Sequence, residues 1–186
     1  MNSFYSEEEL NELGLKGYGK NVLISRKASI YGAENIILGN NVRIDDFCIL
    51  SGNIAIGDYV HIAAYSAMYA GNAGIVVNDF CNISSRVCIY AISDDYSGET
   101  MTNPMVDDRF KNVIEQQVII NKHAIVGSSS TILPGACISE GTAVGAMSLI
   151  KELTQPWSIY AGIPAKLIKE RKRDILNLEK EFLNEH

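Results

Sequence analysis

The fold is decided by the stretch from Val118 to Ile150, VIINKHAIVGSSSTILPGACISEGTAVGAMSLI. Large aliphatic residues occupy every sixth position in it: Ile120, Val126, Ile132, Ile138, Val144 and Ile150. Four residues after each of the first five comes a smaller residue: Ala124, Ser130, Ala136, Thr142 and Ser148. A small residue and the next large one are two positions apart, and alternate residues of a strand share a face. Each hexad therefore predicts a very short strand with an inward-facing pair, followed by a corner.

The same step of six runs back towards the N-terminus. It occurs at Leu38, Ile44, Leu50, Ile56, Ile62 and Met68 and, after three extra residues near Gly74, at Val77, Ile83 and Ile89. Residues that tolerate tight or left-handed turns stand where corners are expected, at Asn40–Asn41, Asp58–Tyr59, Asp79–Phe80 and Glu140–Gly141. Three strands and three corners make one triangular coil, and stacked coils bury a core that no single coil could bury. The sequence predicts an all-β solenoid over residues 21–156.

Three segments interrupt or flank this repeat. Residues 1–20 predict an N-terminal cap with a short helix that begins after Ser6, which precedes three glutamates. Residues 157–186 predict a C-terminal tail and helix, because apolar residues from 167 to 182 are spaced among charged ones in a helical pattern that begins near 164. A polar insertion at about 91–117 is far longer than a corner needs, and it predicts an ordered loop that forms part of a site, with a mobile flap as the alternative.

Composition limits the classes of function. The chain has 186 residues, 47% of them hydrophobic, and a formal net charge of −6, which favours one domain and argues against nonspecific nucleic-acid binding. The sequence has neither a basic and apolar leader nor an apolar run of membrane-spanning length, so a cytoplasmic protein is expected. The four cysteines lack the CxxC spacing of a zinc site. They are interpreted as small apolar fillers, and no metal is expected.

The hexads, the long loop and the stretches GSSSTILPGACISEGTAVGAMSLI and PWSIYAGIPAKLIKER resemble the hexapeptide-repeat acyltransferases. The resemblance covers nearly the whole chain and is strongest to the small-molecule O-acetyltransferases that act on galactosides, maltose and surface polysaccharides. It implies a left-handed parallel β-helix assembled as a homotrimer, with acetyl-coenzyme A in a cleft between subunits. The left hand rests on this resemblance alone, because crossovers are usually right-handed. Outward apolar residues such as Ile125 and Ala143 independently indicate a covered face.

Two histidines are candidates for the catalytic base, since a hydroxyl that attacks a thioester must lose its proton. His61 is an outward mid-strand residue, and Asn82 occupies the equivalent place one coil later, so the two are expected side by side. His123 falls at a corner of the next coil, near Asn82. His186, the last residue, is set aside.

The long loop departs from the resemblance. The galactoside and maltose enzymes carry their catalytic histidine in this loop, whereas this chain has no histidine from 90 to 116. The YVHI segment resembles the hexapeptide sugar N-acetyltransferases, whose histidine there faces the acetyl group. These observations place His61 slightly ahead of His123 as the base, with Asn82, Asp94 and Asp95 as acceptor-binding residues.

Donor binding is assigned to small residues and to the tail. Gly127, Ser128, Gly145 and Ala146 would let the pantetheine arm of the donor lie against the coils. The resemblance implies that Ala161, Gly162 and Pro164 turn the chain past the adenine, and that Lys166 and Arg171 meet the phosphates. The alternative for the basic residues is an ordinary solvated helix face.

The sequence therefore ranks three functions. The first is acetyl-coenzyme A-dependent O-acetylation of a sugar or polysaccharide precursor. The alternative is N-acetylation of a nucleotide-linked amino sugar, which would explain the missing loop histidine because an amine needs less help from a base. A catalytically silent β-helix scaffold is third. A zinc hydratase, which would need three converging histidines, is disfavoured.

Overall fold

The computed structural model describes residues 3–185 and is a left-handed parallel β-helix with three faces. The first face contains Gly17–Tyr18, Ile36–Leu38, residues 54–56, residues 75–77, Val118–Ile120 and Cys137–Ile138. The second contains Leu23–Ile24, Arg43–Ile44, His61–Ile62, Asn82–Ile83, Ile125–Val126, Ala143–Val144 and Ser158–Gly162. The third contains Ser29–Tyr31, residues 49–51, residues 67–69, Cys88–Tyr90, Thr131–Ile132 and Leu149–Ile150. The strands Ile49–Ile56 and Ala67–Val77 bend from the third face into the first.

The core is the column of inward hexad residues. The large members predicted from the step of six are buried in every coil, and so are their small partners. Buried hydroxyls find backbone acceptors: Ser130 Oγ and Ser148 Oγ donate to the carbonyl of Gly145, at 3.0 and 2.7 Å. The solenoid fold predicted from the sequence is confirmed.

The corners between the first and second faces are left-handed turns. Asn41, Tyr59, Phe80 and Gly141, all at predicted corners, have φ between 55° and 66°. Tyr59, Phe80, His123 and Trp157 stand above one another at these corners, and the rings of Tyr59 and Phe80 stack at 4.8 Å. We call these four residues the aromatic corner.

Both flanking segments contain a helix. The first, α1 (Glu7–Glu12), has a capping box in which Ser6 accepts from the backbone N–H of Glu9 and the Glu9 side chain accepts from the backbone N–H of Ser6. The second, α2 (Ile175–Glu185), packs on the aromatic corner, where Phe182 meets Tyr59 edge-on at 5.2 Å. Within residues 3–185, no helix is long and apolar enough to cross a membrane.

The C-terminal tail differs from the helix that the sequence predicts. The helix expected from residue 164 begins only at Ile175, and Ala165–Glu170 is a strand that pairs antiparallel with Ser158–Gly162. The last strand of the second face would otherwise leave backbone N–H and C=O groups unpaired at the end of the solenoid. The tail satisfies them by folding back as a hairpin, which overrides the helical spacing of its apolar residues.

The insertion is closed at its base by an antiparallel pair, Ile92–Ser93 with Ile114–Glu115. It also contains the 3-10 turn Asp108–Phe110 and a bridge between Met101 and Lys111. The insertion therefore leaves the solenoid after Tyr90 and returns at Val118, between the third face and the first.

Candidate functional site

His61 and Asn82 are adjacent on the second face, as the hexad spacing predicts. His61 Nδ1 lies 3.0 Å from Asn82 Oδ1, and its Nε2 lies 2.8 Å from Asp45 Oδ2. Asp45 also accepts from Arg43 Nε at 2.7 Å. Burial acts to raise the pKa of Asp45, but the hydrogen bonds from His61 and Arg43 outweigh it and lower that pKa. Both ring nitrogens of His61 are thus engaged within the chain.

His123 is buried beneath α2 at the aromatic corner. Its side chain is 5% exposed, its Nε2 lies 2.9 Å from Glu179 Oε2, and its ring stacks on Phe80 at 5.4 Å. A largely apolar cavity of about 420 Å³ separates α2 from the second face, and both His123 and Asn82 line it. The structure brings these two residues to one cavity, although the imidazole of His123 is already paired with a carboxylate.

The two loop acids have different surroundings. Asp94 lines a second cavity, of about 720 Å³, between the insertion and the third face. Asp95 accepts hydrogen bonds from Ser97 N and Oγ, both at 2.8 Å, and from Thr100 Oγ1 at 2.9 Å. These hydrogen bonds, the one from the Ser97 backbone foremost, lower the pKa of Asp95. Asp95 therefore organises the loop, and Asp94 is the acid that borders open space.

We call this second space the insertion cavity. Tyr69 and Tyr90 line it from the third face, with their rings stacked at 5.2 Å and inclined by 16°. Lys111 and Asp94 line it from the insertion. His61 and Asn82, on the second face, do not border it, so the chain does not bring Asp94 to the histidine that the sequence favoured as base.

The small residues assigned to donor binding lie along the corner between the second and third faces. The strand register aligns Ile83, Val126, Val144 and Tyr160 in successive coils, and the residues that follow them are Ser84, Gly127, Gly145 and Ala161. We call these last four the small-residue column. Ser128 and Ala146 each follow a glycine of this column.

The small-residue column is packed too closely for larger side chains. A Cβ on Gly127 would lie 2.5 Å from the backbone nitrogen of Ala146, and one on Gly145 would lie 3.0 Å from the Cβ of Ala161. The coils approach each other here because glycine has no Cβ. The corner therefore has a smooth backbone surface, against which a long thin ligand arm can lie.

The tail residues assigned to the donor are found in two places. Gly162 and Pro164 belong to the turn of the C-terminal hairpin, and Lys166 pairs with Ala161 and is exposed. Arg171 donates to the carbonyls of His123 and Gly141 at 2.8 and 2.9 Å. Both contacts are made by Nη1 and hold Arg171 at the aromatic corner, and its assignment to a donor phosphate stays a prediction.

Two of the four cysteines are buried in the core. Burial raises the pKa of the Cys48 thiol to about 11 and that of Cys81 to about 12, so both remain protonated apolar fillers. Residues 3–185 contain no group of three or more His, Cys, Asp or Glu side chains placed to hold a metal ion.

Comparison with known proteins assigns the family. The family described as "Bacterial transferase hexapeptide (six repeats)" matches residues 35–68. The dTDP-4-amino-4,6-dideoxy-D-glucose acyltransferase of Escherichia coli is 46% identical over 183 residues, 97% of this chain and 95% of that one. AntD, an N-acyltransferase from Bacillus cereus crystallised with dTDP and 3-hydroxybutyryl-CoA, is 56% identical with a TM-score of 0.97, covering 100% of this chain and 98% of that one. This protein belongs to the hexapeptide-repeat acyltransferases, which confirms the resemblance seen in the sequence.

Further AntD crystal structures carry single substitutions at two positions. One position is Asp94, replaced by alanine or asparagine, and the other is Ser84, replaced by alanine, cysteine or threonine. This chain has aspartate and serine at the same numbers, and the similarity covers 100% of both chains. The sequence argument named Asp94 but passed over Ser84. The signal available for Ser84 was its place as the one hydroxyl residue in a column otherwise made of glycine and alanine.

Proposed function

We propose that the protein transfers an acyl group from an acyl-coenzyme A to the 4-amino group of a dTDP-linked 4-amino-4,6-dideoxy sugar. The observation that carries this proposal is the similarity, along nearly the whole chain, to the E. coli enzyme named for that acceptor. AntD, which has been crystallised with dTDP-4-amino-4,6-dideoxyglucose and coenzyme A, adds to it at 55% identity. The proposal reverses the order drawn from the sequence, which placed O-acetylation first and N-acetylation second.

The residues at the insertion cavity suit an amine better than a hydroxyl. A carboxylate such as Asp94 is a far weaker base than a sugar alkoxide, so it can help an alcohol only by taking the proton while the new bond forms. It can accept a proton from an amine that becomes cationic as it attacks. The loop histidine expected for O-acetylation is absent from residues 90–116, and this agrees with an acceptor whose nitrogen attacks through its own lone pair.

The reaction balances with Asp94 as the proton acceptor. The amine nitrogen attacks the thioester carbonyl carbon, and the carbonyl electron pair moves to oxygen. Asp94 takes a proton from the attached nitrogen. The carbonyl then re-forms, the carbon–sulfur bond breaks, and the leaving thiolate takes the proton that Asp94 removed, which gives coenzyme A and the ionised carboxylate. The amide product keeps the acyl group on nitrogen.

Ser84 and the small-residue column are assigned to the donor. Ser84 stands in the coil next to Gly127, and Gly145 follows in the coil after that, so an arm lying along the glycines would present its thioester near the Ser84 hydroxyl. That hydroxyl can donate a hydrogen bond to the reacting thioester, where charge develops in the transition state. Lys166, exposed at the far end of the column, is placed to meet donor phosphate.

The proposed site lies between two copies of the chain in a homotrimer. Ser84 and Asp94 flank the third face at opposite edges, with the strand Cys88–Tyr90 between them. At about 3.3 Å per strand residue, Ser84 and Asp94 of one chain are separated by on the order of 15 Å across this strand and its corners. At the Ser84 edge, Phe47 and Tyr65 stack at 4.9 Å and are 46% and 57% exposed, an apolar surface suited to a second copy.

The first experiment compares two acceptors that differ only in the substituent at position 4 of the sugar, an amino group or a hydroxyl. Thiol release from acetyl-CoA and from 3-hydroxybutyryl-CoA is measured with the dTDP-linked 4-amino-4,6-dideoxyglucose and with its 4-hydroxy counterpart. The proposal expects kcat/KM for the amine to exceed that for the alcohol by at least about 10²-fold. A faster reaction with the alcohol would restore O-acetylation, and no release with either would favour a silent scaffold.

The second experiment tests whether one site draws on two chains. Ser84→Ala and Asp94→Ala chains, each inactive alone, are co-expressed with different tags, and doubly tagged oligomers are purified. If each site takes Ser84 from one copy and Asp94 from its neighbour, every doubly tagged trimer contains one intact site, about one third of the wild-type number. If both residues act within one chain, the mixed oligomers stay inactive.

A further inference from the structure

Lys111 has an unusual environment for a lysine in a loop. Its side chain is only 9% exposed, although the residue belongs to the polar insertion. Among the described residues that line the insertion cavity, it is the one that carries a positive charge. Lysine is seldom buried without a counter-ion, so the partner of its ammonium group determines what the residue can bind.

The present partner of Lys111 is an exposed carboxylate, which water can solvate if the ion pair breaks. Lys111 Nζ lies 2.8 Å from Asp108 Oδ1, and the Asp108 side chain is 97% exposed. The hydrogen bond from Lys111, together with its charge, lowers the pKa of Asp108, so the carboxylate is ionised at neutral pH. An ion pair with so exposed a partner adds little stability. Asp108 can turn into water at small cost if another anion reaches Lys111.

The rest of the insertion cavity has the features of a site for a nucleotide-linked sugar. Its volume of about 720 Å³ lies within the range of small-molecule sites. The stacked rings of Tyr69 and Tyr90 form an aromatic wall, and burial, foremost among several causes, raises the pKa of Tyr90, so its hydroxyl remains a donor. Asp94, the proposed proton acceptor, borders the same space. An acceptor whose amine reached Asp94 would have its diphosphate within the same cavity.

We infer that Lys111 recognises the diphosphate of the nucleotide-sugar acceptor, whose phosphate oxygens replace the Asp108 carboxylate on the ammonium group. This inference rests on the proposed function, because it takes the acceptor to be a nucleoside diphosphate sugar. A lysine suits the role as a compact point charge that can contact either phosphate. Selection of the acceptor then depends on its charged diphosphate as well as on its sugar.

Coenzyme A also contains phosphates, so the source of the anion has to be distinguished. The small-residue column and Lys166, assigned to the donor, lie at the corner between the second and third faces and on the C-terminal hairpin. Lys111 lies on the insertion, which leaves the solenoid at the other edge of the third face. We therefore assign the Lys111 contact to the acceptor and not to the donor.

Calorimetric binding to wild type and Lys111→Met tests the assignment. Methionine keeps the unbranched stem against the cavity wall and removes the charge. The dissociation constant for dTDP should rise about 10–100-fold, whereas those for thymidine and coenzyme A should stay within about twofold. Lys111→Arg, which keeps the cation, should bind dTDP within several-fold of wild type. Lys180→Met, at an exposed lysine of α2, is the matched control and should bind all three ligands normally.

Several results would overturn the inference. If Lys111→Met binds dTDP as wild type does, the charge is not used. If it weakens thymidine as much as dTDP, Lys111 only shapes the cavity wall. If it weakens coenzyme A instead, the residue belongs to the donor site. Should Lys111→Met fold poorly, a Lys111→Arg protein that folds but does not bind dTDP would equally reject the inference. Failure of the wild type itself to bind dTDP would instead reject the proposed function.

Discussion

Replacing Glu179 by glutamine tests how α2 is held on the aromatic corner. The Glu179 carboxylate lies 2.5 Å from Lys122 Nζ and 2.9 Å from His123 Nε2, and its side chain is 12% exposed. Glutamine keeps the shape and one acceptor oxygen but removes the negative charge. Docking of the helix therefore loses two charge-assisted interactions, while the apolar contacts of Phe182 are kept.

The expected loss in the free energy of docking is about 2 kcal/mol. A hydrogen bond to a charged group contributes about 1.5–3 kcal/mol. The contact with buried His123 should provide most of this, because the Lys122 side chain is 39% exposed and water weakens that pair. Glutamine also retains part of the hydrogen bonding. A loss of about 2 kcal/mol corresponds to a roughly 30-fold larger population of the undocked helix.

The effect should depend on pH in a defined direction. Burial acts to raise the pKa of Glu179, but the hydrogen bonds from Lys122 and His123 outweigh it, and the net pKa is lowered. A carboxyl whose folded-state pKa is lowered stabilises the docked state above the pKa of the undocked glutamate, and this stabilisation is lost as pH falls through the lowered value. The difference between wild type and Glu179→Gln should be full at pH 7 and should vanish in the acid range.

Hydrogen exchange of the amides in residues 175–185, corrected for intrinsic rates, measures the opening directly. Glu181→Gln provides the control, because it makes the same charge change at an exposed position of the same helix. Equal acceleration in both variants would mean that the charge of the helix matters and the contacts of Glu179 do not. An unchanged exchange rate in Glu179→Gln would refute the reasoning outright.

Three further predictions concern the site. Gly145→Ala should raise KM for the acyl donor about tenfold, and it should lower the melting temperature less than Gly127→Ala does. An added Cβ at Gly145 would lie 3.0 Å from the Ala161 Cβ, whereas one at Gly127 would lie 2.5 Å from the backbone nitrogen of Ala146. Asp94→Asn should lower kcat by about 10²–10⁴-fold. His61→Gln alters a ring that is already paired on both nitrogens, and it should lower kcat less than about tenfold. The opposite order of effects would assign the base to His61. Lys166→Ala should raise KM for acetyl-CoA more than it raises KM for a donor lacking the 3′-phosphate, and the difference should correspond to about 1–3 kcal/mol of binding free energy. An equal rise in both KM values would make Lys166 an ordinary surface lysine.

The sequence predicted the solenoid because the information that specifies it is periodic and local. Each hexad sets one inward pair through the alternation of side chains along a strand, and coils of constant length stack like residues over like. The same arithmetic placed His61 beside Asn82. It could also have identified Ser84, since the serine occupies the column that contains Gly127.

The side-chain partners of the two histidines were decided by the tertiary structure. His61 is paired with Asp45, 16 residues away, and His123 with Glu179, 56 residues away. These contacts engage both histidines that the sequence offered as bases, and neither pairing follows from the step of six.

What the sequence by itself determined, then, is the repeating framework: which residues face the core, where the corners lie, and where the chain leaves the repeat. Only the tertiary structure decided that Ala165–Glu170 closes the second face as a strand, that α2 begins at Ile175, and that Asp94 and Lys111 share a cavity. The physical reason is that a periodic segment finds its partners at a fixed sequence separation. A non-periodic insertion or tail packs wherever unpaired backbone, apolar surface and opposite charge are available, and those positions are set by the assembled solenoid.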